Sequence, residues 1–257
     1  MSAAVQTLSD TTYSPQEWQV RCDLAALYRL VAHFRMTDFI YTHISARVPG
    51  PEKHFLINKY GVLFHEMRAS DLVKVDLDGN FVDPRDADKR MNQAGFTIHS
   101  AIHGAREDLH CVVHTHTAAG IAVSAQKQGL LPISQHALRF YGHLGYHGYE
   151  GVALDLDERE RLVADLGPHK AMILVNHGLL VGGETIAEAF IQIYYLERAC
   201  QAQIAAQSGG AELVFPPESV RLKTASQFHR PTSLAHADFA WASALPLIEG
   251  QGTDWRS

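Results

Sequence analysis

Apolar positions recur along this chain in two alternating rhythms, and the changes between them mark the predicted elements. Ser14-Pro15-Gln16-Glu17 is a strong helix start: Ser14 can cap, Pro15 fits the first turn, and Glu17 can reach back to close a capping box. Val20, Leu24, Leu27, Val31 and Phe34 then follow at spacings of four and three, predicting one apolar helical face. Tyr41–Val48 and His54–Ile57 read as strands separated by a Pro49-Gly50-Pro51 turn, and Leu72–Asp76 as a third strand. Asp78-Gly79 supplies a tight turn before Phe81-Val82. A helix is expected from about Ala94 to Ala105, then a short buried strand, Cys111–Val113, and a helix capped by Thr117 that runs through about Lys127 and stops at Gly129. Ala171–Val175 is a second buried strand, with Leu179–Val181 expected to continue extended. Thr185 and Glu188 predict a second capping box that opens a long helix from Ile186 to about Ala206. Residues 1–13 read as a disordered leader and 210–257 as a C-terminal arm that packs on the body or on a neighbour; residues 14–257 form one α/β unit without internal repeats.

Bulk composition narrows the function classes. The 257 residues are 46% hydrophobic, enough for a substantial core, and 22 Lys+Arg against 28 Asp+Glu give a formal charge of −6. With no basic run, nucleic acid and anionic membranes are poor partners. Apolar runs such as Ala171–Val175 are too short to cross a bilayer, and the leader lacks the blocks of a signal peptide. The three cysteines, Cys22, Cys111 and Cys200, sit in apolar or helical contexts and read as buried reduced thiols, in keeping with a cytoplasmic protein.

Histidine spacing carries the chemistry. His114 and His116 end a β-type run, where residues two apart point the same way, so two imidazoles can share one metal ion. His177 also ends a buried strand, and Gly178 after it permits a sharp turn, which makes it the best third ligand. Three neutral imidazoles leave a divalent ion its full charge and open positions, the pattern of a catalytic site. Nucleophile elbows, phosphate-binding loops and the H-E-x-x-H motif are absent from the sequence. Aromatic and histidine residues crowd 140–150, where a packing loop is the simpler reading than a source of catalytic groups.

The runs Val112-Val113-His114-Thr115-His116 and Asn176-His177-Gly178-Leu179 resemble the class II aldolase/adducin family, over about residues 15–207. The resemblance implies a three-layer α/β/α sandwich around a mostly antiparallel central sheet. It also implies zinc on His114, His116 and His177, with Fe(II) or manganese as alternatives, and a homotetramer with its site near a subunit boundary. Family aldolases carry a Glu nineteen residues before the first ligand; counting back from His114 gives Gly95, which cannot move a proton. The small polar residues that cradle a sugar phosphate are matched by His43, Tyr60, Gln93 and Ala94, which argues against a phosphorylated substrate. Asn92-Gln93-Ala94-Gly95-Phe96 and Gly129–Ser134 look closest to the adducin-like branch.

By this reading Gln93, His136 and Tyr141 are candidate catalytic groups, and Arg47, Lys59 and Ser134 candidate substrate contacts. Glu66 and Glu150 are carboxylates that could turn inward. The expected function is a metal-dependent lyase, by retro-aldol cleavage or decarboxylation, on a small non-phosphorylated oxo- or hydroxy-carboxylate. The rivals are an Fe(II) oxygenase on the same histidines and a non-catalytic adducin-like scaffold.

Overall fold

Local capping starts the first helix where the sequence places it. In a computed structural model, which describes residues 13–152 and 157–257, Ser14 Oγ accepts the Glu17 N–H at 3.1 Å and Pro15 opens α1 (Pro15–His33). The expected capping box does not close. Glu17 instead pairs with Arg21 and Lys74, each at 2.9 Å, because two cations offer a carboxylate stronger hydrogen bonds than an exposed backbone N–H. Residues 1–12 of the expected leader lie outside the described residues, whereas Tyr13 stacks on Trp18 at 5.7 Å.

The seven strands are β1 (His43–Arg47), β2 (Phe55–Asn58), β3 (Leu72–Val75), β4 (Cys111–Thr115), β5 (Leu144–His147), β6 (Ala171–Leu174) and β7 (Gly178–Gly183). They form one sheet in the order β3-β2-β1-β4-β7-β6-β5, and every neighbouring pair is antiparallel except β5 with β6. Leu179–Val181 is extended as expected, within β7. Residues 175–177 reverse the chain, with Asn176 at φ +56°, so that β7 pairs back on β6. Asparagine tolerates that left-handed conformation better than other non-glycine residues. Phe81 makes only an isolated bridge to Val75 rather than a strand.

Alternation along the strands assigns each side chain to a layer. Ile44, Ala46, Cys111, Val113, Leu179 and Val181 pack with α1 and with α6 (Ile186–Gln207). Val112, Met172 and Leu180 pack on the opposite face with α2 (Gln93–Ala105) and α5 (Glu158–Leu166). The result is the α/β/α sandwich with a mixed, mainly antiparallel sheet. Remaining helices among the described residues are α3 (Ala118–Ser124), α4 (Gln135–Leu138), α7 (Glu218–Phe228) and α8 (Ser233–Ala244). Helix α3 stops short of Lys127, and Gly129 lies beyond it at φ +62°. At α6 the Thr185 hydroxyl accepts the Glu188 N–H at 3.0 Å, while the Glu188 carboxylate accepts from Glu184 N at 2.8 Å rather than from Thr185.

The C-terminal arm packs on its own body: α8 lies against α6, Trp255 enters the main core, and its carbonyl accepts the Ala69 N–H at 2.8 Å. All three cysteines are buried and unpaired, and no helix among the described residues is long and apolar enough to cross a membrane.

The buried Tyr28 hydroxyl holds β1 and β2 to α1. It accepts the N–H groups of Ile44 (2.8 Å) and Asn58 (3.1 Å) and reaches Asn58 Oδ1 at 2.8 Å. Tyr28→Phe strands these groups without water, so urea unfolding should show a loss of about 2–4 kcal/mol. An unchanged midpoint would remove this hydroxyl from the account of how the first layer is attached.

Candidate metal centre

Three imidazoles meet where β4 ends and the β6–β7 turn passes beside it. His114 and His116 project from one side of the β4 terminus, and His177 occupies the turn. Gly178 is required at the close approach: a Cβ there would stand 2.4 Å from the Thr115 carbonyl oxygen. Nε2 of His116 lies 2.8 Å from Nε2 of His114 and 2.9 Å from Nε2 of His177, and all three ligand atoms fall within 4.8 Å of one another.

The opposite ring nitrogens fix two of the tautomers. His114 Nδ1 donates to the Leu179 carbonyl at 2.9 Å, and His116 Nδ1 donates to Asp38 Oδ2 at 2.9 Å. Both rings therefore turn an Nε2 lone pair toward the common centre. Burial, then the neighbouring His177, His43 and His116, hold the His114 pKa well below its ordinary value. Burial first, then His116 and His147, lower His177 to about 4. Lone pairs facing one another at these separations repel, and a cation between them removes the repulsion. Neutral nitrogen donors suit zinc, Fe(II) or manganese, so the residues fit a divalent ion.

Asp38 was not among the candidates of the sequence. It comes from residues 34–42, the connection between α1 and β1, in which Arg35, Phe39 and Thr42 all have positive φ. Three non-glycine residues in that region make a strained connection of the kind retained near functional sites.

A second histidine group lies beside the first. His43 faces His114 across the β1–β4 pair, with ring centroids 5.0 Å apart. From His43 a buried chain runs inward: Nδ1 to His99 Nε2 at 2.7 Å, His99 Nδ1 to Ser45 Oγ in a short contact, and Ser45 Oγ to His103 Nε2 at 2.7 Å. Burial pushes the pKa of His43 and His99 well below the ordinary value and that of His103 down to about 3, so all three rings are neutral. Gly95 makes room for this arrangement, since a Cβ there would lie 2.3 Å from His43 Cδ2 and 2.7 Å from its Nε2. His99 and His103 sit four apart on α2, a spacing that puts them on one helical face and could have been read from the sequence.

The other candidates lie elsewhere or have other partners. Gln93 is exposed at the first turn of α2, two residues before Gly95. Arg47 ends β1 at the edge away from His43, roughly 13 Å along the strand. Its guanidinium is taken by the carbonyls of His103, Leu109 and Arg106, so it anchors backbone rather than an anion at the histidines. Lys59 lines a separate cavity of about 680 Å³ with Arg29 and Arg68. Ser134 caps α4 by accepting the Ala137 N–H at 3.1 Å, His136 packs at a tilt against Tyr195 with ring centroids 4.9 Å apart, and Tyr141 lies under Arg221 at 5.8 Å. These three belong to the α4–α6–α7 side and make no contact with the histidine cluster within the described residues. Glu150 pairs with Arg161 at 2.5 Å and Glu66 is exposed beside His65, so neither carboxylate turns inward. Tyr149 does approach, its ring 6.3 Å from that of His177.

Comparison with known proteins agrees with this architecture. The Class II Aldolase and Adducin N-terminal domain family matches residues 22–204. An aldolase II superfamily protein from Pseudomonas syringae superposes with a TM-score of 0.88 at 58% identity, covering 95% of this chain and 98% of the other. An L-fuculose 1-phosphate aldolase from Glaciozyma antarctica superposes with a TM-score of 0.82 at 28% identity and 97% coverage of both chains. Rat alpha-adducin is 46% identical over 219 residues, which is 83% of this chain and 30% of adducin. The chain belongs to the class II aldolase and adducin family.

Proposed function

We propose that this protein is a divalent-metal-dependent lyase that breaks a carbon–carbon bond in a small, non-phosphorylated oxo- or hydroxy-carboxylate. The observation that carries the proposal is the convergence of His114, His116 and His177, with Nδ1 of two rings held from behind by Leu179 and Asp38. When bound, the ion would supply Lewis acidity, polarising a carbonyl and steadying the negative charge left as the bond breaks. Zinc suits the donor set best, with Fe(II) or manganese as alternatives.

The protein's own contribution centres on His43. A chain of neutral rings joined through one hydroxyl has two arrangements. In one, His43 Nδ1 donates to His99 and Nε2 keeps its lone pair; in the other, His99 donates to His43 Nδ1 and Nε2 carries the proton. Passing a proton right through would require one to leave at His103 Nδ1, which is buried without a hydrogen-bond partner, so the chain sets the tautomer of His43, and a proton taken up at its Nε2 stays on that ring until it is returned. His43 can thus accept or deliver a proton beside the metal ligands, the role that Gly95 cannot fill. The same bulky ring favours a substrate without a phosphate, in contrast to the Glaciozyma relative's named substrate class. Phe39, Tyr41 and Tyr149 are exposed close in sequence to Asp38, His43 and His147; they suit a neighbouring protomer, consistent with a tetramer whose sites adjoin subunit boundaries.

The adducin likeness favours a second reading, a binding protein that keeps its metal but performs no turnover. Metal analysis after anaerobic purification, followed by assays of 2-oxo and 2-hydroxy acids for aldehyde or carbon dioxide release, separates the readings. Turnover without oxygen uptake is expected; silence from fully metal-loaded protein would support the binding reading, and oxygen consumption would support an iron oxygenase.

Two substitutions test the division of labour. Asp38→Asn should weaken metal affinity about 10- to 100-fold, read by competition with a chelator. His43→Phe should retain the metal while lowering kcat by about 10²–10⁴-fold. Metal loss in His43→Phe, or full activity, would contradict the assigned role.

A further inference from the structure

A second polar cavity lies on the other layer of the sandwich, between α6, the end of α4 and the C-terminal arm. It measures about 410 Å³ and is bordered by Arg139, Gln192, Tyr195, Phe228 and His236. Two of these residues have polar atoms without partners. The Arg139 guanidinium lies over the rings of Phe228 at 4.7 Å and Tyr195 at 5.0 Å, yet makes no ion pair or hydrogen bond among the described residues. Gln192 is 5% exposed, and its Oε1 is buried with no hydrogen-bond partner.

The nearby carboxylate attracts Arg139 from a distance but does not pair with it. Glu188, which also borders the cavity, is occupied by Lys170 at 2.8 Å and by the Glu184 N–H at 2.8 Å. A guanidinium covered on its faces by aromatic rings still presents its N–H groups in plane, a geometry matched to a carboxylate. Buried amide oxygens without donors are rare because they forfeit water without compensation. One ligand satisfies both groups if it carries an anion at one end and a donor at the other.

We infer that this cavity binds a small organic carboxylate bearing a hydroxyl or ammonium group, with the carboxylate on Arg139 and the donor on Gln192, whose terminal amide turns over on binding to bring its buried Oε1 to the cavity. The site is independent of the histidine cluster, whose His114 points to the α2–α5 layer. Because α7 and α8 supply one wall, the ligand would also join the arm to α6.

Calorimetric titration of the metal-loaded protein with L-lactate, L-malate and L-serine, each up to about 20 mM, tests the inference, with propionate and succinate as donor-free matches and inorganic phosphate as a separate anion. At least one donor-bearing carboxylate should bind more tightly than its match, and its binding should persist in His116→Ala, which disables the metal centre. Arg139→Met keeps the stem between the rings and should weaken binding at least about tenfold. Gln192→Leu, which breaks no existing hydrogen bond, should erase the preference over the donor-free match. The inference is overturned if none of the three binds, if only phosphate binds, if binding disappears in His116→Ala, or if it survives Arg139→Met unchanged.

Discussion

Lone pairs that face one another without a proton between them are the constraint around which this molecule is organised. Leu179 and Asp38 claim the Nδ1 protons of His114 and His116, and burial keeps His114 neutral. Such an arrangement is unfavourable for the bare protein and favourable around a cation. The fold must therefore hold the rings together by forces from elsewhere: the β4–β7 ladder, the reversal at Asn176 and the close packing at Gly178.

The period-two geometry of the sheet then separates structure from chemistry. On β1 and β4, one set of alternate residues (Ile44, Ala46, Cys111, Val113) fills the core beneath α1 and α6. The other set includes His43, Ser45 and His114, which face α2. A polar chain can occupy that layer because its links satisfy one another, and because glycine at position 95 leaves space for the His43 ring. The three converging imidazoles and the buried polar chain are consequently set on neighbouring strands of one face.

Local signals explain how much could be read from the sequence. Ser14, Thr117 and Thr185 each cap a helix as their spacing indicates, and the strand-end positions of His114, His116 and His177 anticipated their meeting. Contacts between distant segments were not legible in the same way. Asp38 lies 78 residues from His116, and nothing in its surroundings distinguishes it from a turn residue. Arg47 looked free for an anion because the carbonyls that occupy it come from the far end of α2 and the residues after it. The sharp turn expected at Gly178 is present, but its left-handed pivot is Asn176, and α7 and α8 were not legible because arms with weak apolar periodicity reveal their buried side only once α6 is in place.

X-ray absorption at the metal edge of the purified protein would read the ligands of the histidine centre themselves. Three imidazole nitrogens are expected at about 2.0–2.1 Å, the distance usual for zinc, with an oxygen ligand that exchanges when an oxo-acid is added. Fewer than three imidazoles, or a fourth protein donor that leaves no exchangeable position, would contradict this open three-histidine site.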